Sequence, residues 1–417
     1  MKKLGFVILI LSITLKSYAS FILIPMDETQ TNHLKAYGIA YWVLEKGVSL
    51  DWLLNYKGGS FAMSYNALFE KECLIRDVKY QVIPDATMAS ILAEIAEPEV
   101  NMDAVRLEKP PKVAVYSPKT KSPWDDAVTL ALTYAEIPYE VIYDEEIIEG
   151  KLPMYDWLHL HHEDFTGQYG KFWSAYKNAD WYINQVNEYE TRAKNLGFMK
   201  VSQEKLAVAQ KIRDFVMGGG FMFAMCSATD SYDIALSAAG VDICAQMFDG
   251  DGADPNAQAK LNYDNCFAFE NFKLSNNPWE YEYSNIDINP SGRDQSSDYF
   301  SLFDFSAKWD QVPAMLTQNH ERVIKGFMGQ TTAFNDNIIK KDVLIMGENR
   351  SKQEAKYIHG TFGNGTWTFY GGHDPEDYQH RVGDPPTDLN LHPNSPGYRL
   401  ILNNILFPAA KKKKQKT

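Results

Sequence analysis

Short apolar strands alternating with helices predict an α/β protein, in which a parallel sheet covered on both faces follows an additional N-terminal α/β domain. Three observations carry this expectation. A strand–helix–strand pattern opens the chain at Phe21 and returns at Lys112. A glycine-led apolar strand, Phe221 to Ala224, runs through Met225 into Cys226 and a helix start. The chain has 417 residues, 45% hydrophobic and 23% charged, which is long enough for two domains and far from a disordered composition.

Lys2 and Lys3 precede an apolar run from Leu4 to Leu15, and Ser17, Tyr18 and Ala19 come before Ser20. This pattern predicts a signal peptide over residues 1–19 and an exported mature chain, periplasmic or secreted. The run is short for a membrane span, so no transmembrane segment is expected in the mature chain. An N-terminal domain over 20–108 begins with a strand at Phe21 to Pro25, a helix capped by Asp27 or Thr29 and reaching Lys46, and a strand at Val48 to Leu54. Pro98 to Lys112, with Lys109, Pro110 and Pro111, reads as a linker. The second domain, 109–408, repeats the pattern with a strand at Lys112 to Tyr116, a helix from Ser122 to Ala135 and a strand at Tyr139 to Tyr143. The recurrence leaves open a duplication or two unrelated parallel units.

Further on come a strand at Asp156 to Leu160, a helical region from Gly170 to Leu196, and a helix from Ser202, its expected cap, to Val216. The elbow strand and a helix from Asp230 to Ala239 come next. Residues 245–355, dense in Asn, Asp, Ser and aromatics, read as an elaboration on the core sheet that includes apolar runs at Val323 to Gly326 and Val343 to Met346. A helix from Pro396 to Phe407 closes the fold, ahead of a basic tail over 409–417.

Two segments carry the chemistry. A cysteine on a tight strand-to-helix turn stands clear of the sheet, and the N–H groups after it favour thiolate and oxyanion. Cys226 occupies such a turn. The strand from Gly365 to Tyr370 ends in Gly371 and Gly372, then His373, Asp374, Pro375 and Glu376. The order Cys, His, acid resembles the class I glutamine amidotransferase-like superfamily. The resemblance implies a parallel flavodoxin-like sheet, with Cys226 as nucleophile, His373 as base and Glu376 or Asp374 as the orienting acid. Ala224 and Ala228 stand where the family's Gly-x-Cys-x-Gly elbow has glycine, and His-Pro-Glu is widened by one residue. The chain also resembles exported Bacteroidetes proteins labelled asparagine synthetase. However, it has neither a cysteine at the expected mature N-terminus nor a Ser-Gly-Gly-x-Asp-Ser loop.

His161, His162, Glu163 and Asp164 follow a strand end that the fold would bring near Cys226. With the Ser227 amide they are the expected oxyanion or substrate-binding residues. Imidazole and carboxylate suit Zn²⁺, but consecutive positions rarely all face one ion, so no metal is assigned. His159 and His161 share a strand face. Asp249 to Asp254 lacks EF-hand spacing, and Lys57 to Ser60 and Gly218 to Gly220 lack phosphate-loop spacing, so they read as turns and no cofactor is expected. His380, Arg381 and His392 sit in a loop that either covers the site or merely connects.

Four cysteines, Cys73, Cys226, Cys244 and Cys266, are too scattered for a disulfide framework, though a Cys226–Cys244 or Cys244–Cys266 bridge stays open. A net charge of −13 argues against nucleic-acid partners. The expected partner is a small-molecule or peptide substrate, or another protein. The leading expectation is an exported amidotransferase-like or amide-hydrolase-like protein acting on a carboxamide or related acyl group. The alternative is an inactive binding or assembly protein on the same fold.

Overall fold

The computed structural model describes residues 19–118, 126–287, 296–379, 381 and 383–411. The signal-peptide run, the expected helix start at Ser122, His380 and Lys412 to Lys414 lie outside the described residues.

The first unit comprises β1 (Ala19–Ile24), α1 (His33–Glu45), β2 (Leu50–Leu54), β3 (Ser60–Ser64), α2 (Ala67–Ile75), β4 (Gln81–Pro84), α3 (Asp85–Ala96) and β5 (Asp103–Leu107). Its sheet has the order β4-β1-β3-β2-β5, and every neighbouring pair is antiparallel. Because β3 separates β1 from β2, this unit is unlike the later parallel one in its pairing. The expected linker is partly a strand: β5 lies within it, and Arg106 on β5 pairs with Asp51 of β2 at 3.0 Å. The α1 cap is Asn32, whose side chain accepts from the Lys35 amide, rather than Asp27 or Thr29.

The second unit holds β6 (Val113–Tyr116), α4 (Ala127–Ala135), β7 (Glu140–Ile142), α5 (Asp144–Ile148), β8 (Trp157–Leu160), α6 (Trp173–Tyr176), α7 (Asp180–Asn195), α8 (Val201–Gly218), β9 (Phe221–Met225) and α9 (Ser227–Ser237). After these come β10 (Tyr299–Leu302), β11 (Val323–Lys325), β12 (Phe334–Asn335), β13 (Leu344–Asn349), β14 (Glu354–Phe362), β15 (Gly365–Tyr370) and a last helix, Pro396–Leu406. Strands β7-β6-β8-β9-β15 are mutually parallel. Beyond β15 the same sheet continues antiparallel through β14, β13, β10 and β11, so the elaboration widens the core sheet. Helix α8 begins at Val201 after an uncapped Lys200, which leaves Ser202 in the first turn.

Alternate residues of each parallel strand enter opposite cores, as a two-sided sheet requires. Val113, Val115, Trp157, Phe223 and Tyr370 pack against α4 and the last helix, while Ala114, Leu158, Met222 and Phe369 pack against α8 and α9. The first core is continuous with the N-terminal unit, because Ile22, Trp52 and Phe61 of the first sheet meet α1 in the same cluster. Helix α1 approaches α4 so closely that a Cβ at Gly38 would fall 1.8 Å from the Ala135 carbonyl oxygen. Only glycine fits there. All four cysteines are free thiols. Among the described residues no helix is long and apolar enough to cross a membrane.

Candidate functional site

Strands β9 and β15 are parallel neighbours, with Met225 opposite Tyr370, so the segments after both strands emerge at the same sheet edge. Cys226 directly follows β9 and directly precedes α9. Its backbone has φ 51° and ψ −141°, a conformation that costs a non-glycine residue about 1–3 kcal/mol and survives only where the surroundings enforce it. Here the Cys226 amide donates to the Gly372 carbonyl at 3.1 Å, the Ala228 amide to the His161 carbonyl at 3.1 Å, and the Thr229 amide back to the Cys226 carbonyl at 3.2 Å. The elbow is thus tied to both segments predicted to carry histidines.

The sulfur is enclosed. Cys226 is 1% exposed, and the Gln330 amide donates to its Sγ at 3.3 Å. Burial pushes the thiol up to about 11, against the Gln330, Thr331 and Ser227 amides, which face the sulfur and favour its anion. Gln330 lies on a loop held over the site: its side chain donates to the Gly170 carbonyl at 2.7 Å and the Tyr281 carbonyl at 3.2 Å. The His373 amide donates to the Met328 carbonyl at 2.9 Å, and Thr331 donates to Asp230 at 2.8 Å. The elaboration therefore supplies the roof. Sequence reasoning missed Gln330 and Thr331, since nothing in a Gly-Gln-Thr-Thr run distant from the elbow signals amides aimed at a sulfur.

His373 Nδ1 is 2.8 Å from His161 Nε2, and His161 Nδ1 lies 3.0 Å from an Asp126 carboxylate oxygen. The other Asp126 oxygen is 3.2 Å from His159 Nε2. Asp126 also caps α4, accepting from the amides of Val128 and Thr129. Burial works to raise its carboxyl, but the imidazoles of His161 and His159 outweigh that and hold it well below the usual range. The His159 imidazole is lowered by burial, with Asp126 opposing. Asp126 was missed in the sequence because a helix expected from Ser122 puts it inside the helix as one more polar residue, whereas α4 starts after it and Asp126 is the cap. It orients imidazole as well.

The remaining predicted residues take other places. The Glu376 carboxylate accepts from Tyr378 at 2.7 Å and pairs with His392 at 3.1 Å, and Asp374 accepts from the Glu376 and Asp377 amides. The acid linked to His373 through His161 is Asp126. Of the loop after β8, His161 and His162 lie beside His373, with ring centroids 4.2 and 5.8 Å away. Glu163 turns away and accepts from Tyr143 at 2.9 Å. Asp164 holds the next turn, accepting from the Thr166 and Gly170 amides. In that turn Tyr169, Gly170 and Lys171 all have positive φ. The Ser227 hydroxyl is buried with no hydrogen-bond partner among the described residues. Asp249 pairs with Lys200 at 2.9 Å, and Asp242 and Asp251 pair with the same ammonium, so three carboxylates share one lysine.

No known family profile matches the chain, and no curated protein does. Among solved structures, two cytoplasmic proteins from Salmonella typhimurium align with TM-scores of 0.34 and 0.38 at 10% and 11% identity, each over 72% of this chain and 100% of their own. A GH42 beta-galactosidase aligns with a TM-score of 0.27 at 11% identity, over 64% of this chain and 28% of its own. Likeness at this level carries no argument about function.

Proposed function

We propose that this chain is a cysteine-dependent acyl-transfer or amide-hydrolysing protein, and that Cys226 attacks a carboxamide or related acyl carbon. The observation that carries the reading is the strained Cys226 backbone at the end of β9, which presents the thiol to backbone amides and stands beside the segment holding His373. The parallel order β7-β6-β8-β9-β15 reads 2-1-3-4-5 in order of appearance, which supports a flavodoxin-like, class I glutamine amidotransferase-like fold.

In this reading Asp126 holds the His161 proton on Nδ1, and His161 Nε2 accepts from His373 Nδ1. The Nε2 lone pair of His373 is then left to take the thiol proton. Because burial keeps the thiol protonated near neutral pH, that proton leaves as the carbon–sulfur bond forms, and the amides of Ser227, Gln330 and Thr331 are the candidate oxyanion donors. The N-terminal pattern supports export of the mature chain.

The test is the pH dependence of iodoacetamide labelling at Cys226 in the mature protein, beside His373→Ala. Labelling near neutral pH that is lost with His373 supports the reading. The enclosure of Cys226 favours a second reading, a binding protein on a retired enzyme fold. A thiol that stays unreactive, or that labels equally without His373, decides for it.

A further inference from the structure

We propose that His161, His162 and His373 form a zinc site, and that zinc in this site switches off Cys226. The second half rests on the proposed catalytic role of Cys226 and His373; the site itself does not.

One nitrogen from each of the three rings lies within 4.8 Å of the others, on buried His161 and His373 and half-buried His162. Three neutral imidazoles are a donor set that zinc takes readily, with a fourth position left open. His161 Nε2 and His373 Nδ1 are 2.8 Å apart, whereas two ligands on a tetrahedral zinc with bonds of about 2.0–2.1 Å stand about 3.3 Å apart. A shift of about half an ångström, small for side chains, converts the hydrogen-bonded pair into a liganding pair. An outer-shell partner is at hand: His161 Nδ1 lies 3.0 Å from the Asp126 carboxylate without a hydrogen bond as placed, and a small ring rotation that aligns the two would fix a liganding imidazole's tautomer and raise its basicity. A second cluster, Asp126, His159 and His161, is less suited. Its atoms are committed to one another, and His159 Nδ1 also bonds the Phe223 carbonyl at 3.2 Å.

The proton inventory gives the consequence. In the proposed reading, metal-free His373 carries its proton on Nδ1, donates it to His161 Nε2 and serves the thiol with Nε2. Zinc takes the lone pairs of His161 Nε2 and His373 Nδ1, and the His373 proton moves to Nε2. No proton is released and no bond to sulfur is needed. His373 is left without a lone pair for the Cys226 proton. His162 belongs to the metal set but not to the Asp126–His161–His373 chain, so its loss separates zinc binding from thiol labelling, a readout that involves no substrate.

The experiment is zinc binding to the full mature chain by competition with a chromophoric chelator, for the natural protein, His162→Ala, His162→Asn and Cys226→Ala, with iodoacetamide labelling of Cys226 with and without zinc. The expected result is one zinc per chain, weakened at least about tenfold in both folded His162 variants, as even loss of an outer-shell partner does, and unchanged in Cys226→Ala. Labelling should fall on adding zinc to the natural protein and persist in the His162 variants. Equal zinc affinity with and without His162, or no stoichiometric binding, overturns the site. Stoichiometric, His162-dependent zinc with a thiol inert even in metal-free protein leaves the site standing and defeats the catalytic reading instead. Zinc that binds through His162 without slowing a reactive thiol overturns the switch.

Discussion

Two polar clusters sit at the carboxyl edge of the parallel strands, and the loop after β8 divides its side chains between them. On one side His161 and His162 join His373, Asp126 and the Cys226 elbow. On the other, Glu163 joins Lys205, Asp144, Tyr116 and Tyr143, where the buried Lys205 ammonium bonds both oxygens of the buried Asp144 and both tyrosine hydroxyls. In the second cluster the Lys205 ammonium and Asp144 satisfy each other, but buried Glu204 beside them has neither carboxylate oxygen in a hydrogen bond among the described residues. The first is built from imidazoles and a thiol, and it keeps a strained backbone and a serine hydroxyl with no hydrogen-bond partner among the described residues. On the proposed reading the second cluster holds the fold and the first carries the chemistry.

The comparison is sharpest at Lys205. Lys205→Met leaves buried Asp144 with only Arg192, 3.7 Å away, as a cation, and equilibrium unfolding in urea should show a loss of about 3 kcal/mol, with Cys226 labelling unchanged in whatever fraction is folded. A small loss would mean that this cluster is not the structural one.

Asp126→Asn should do the reverse. Asparagine still caps α4, so stability should move little, while His373-dependent labelling of Cys226 should slow by about 100-fold or more. A variant that labels normally would break the chain from Asp126 to the thiol.

Each neighbourhood holds a carboxyl raised by burial: Glu204, beside Lys205 and Asp144, is pushed up to about 8, and Asp230 stands in the first turn of α9 after the Cys226 elbow. Burial pushes the Asp230 carboxyl up to about 7, above its value of about 4 in the unfolded chain. A carboxyl raised by folding holds its proton longer in the native state, so stability falls as pH climbs from about 4 to about 7 and is level beyond. Asp230→Asn should flatten that decline in urea unfolding measured across the range.

The smallest effect concerns the elbow. Glycine accepts φ 51° without strain but costs about 0.5–1 kcal/mol of chain entropy, against about 1–3 kcal/mol of strain. Cys226→Gly should therefore be as stable as Cys226→Ala or more stable, by about 1 kcal/mol. If it is clearly less stable, the backbone there is not strained.

How far the sequence could be read depends on the range of the forces involved. The pairing of Cys226 with the His373 segment was legible because each stands at the end of an apolar strand, and parallel strands bring such ends together. The shared face of His159 and His161 was legible from strand periodicity. The sequence points to Glu376 or Asp374 as the orienting acid, but Glu376 bonds Tyr378 and His392 and Asp374 accepts from the Glu376 and Asp377 amides, while Asp126 comes near His161 from a helix start that only the folded sheet puts there. The roof at Gln330 depends on backbone amides, which every residue but proline carries and no sequence displays. The linker expectation failed at β5 because proline and charge at both ends of Pro98 to Lys112 masked a five-residue strand whose charged Arg106 faces out to Asp51.

The helical layer shared by the two sheets sets an order of assembly. The N-terminal sheet is made first on the ribosome, yet its covering helix α1 packs on the last helix, and the Lys411 amide bonds the Arg106 carbonyl of β5. The strands of the first sheet are complete by Leu107 and those of the second by Tyr370, but the face of α1 that meets the last helix stays uncovered until residues 396–406 arrive. The earliest apolar helix is thus among the last to be shielded from water.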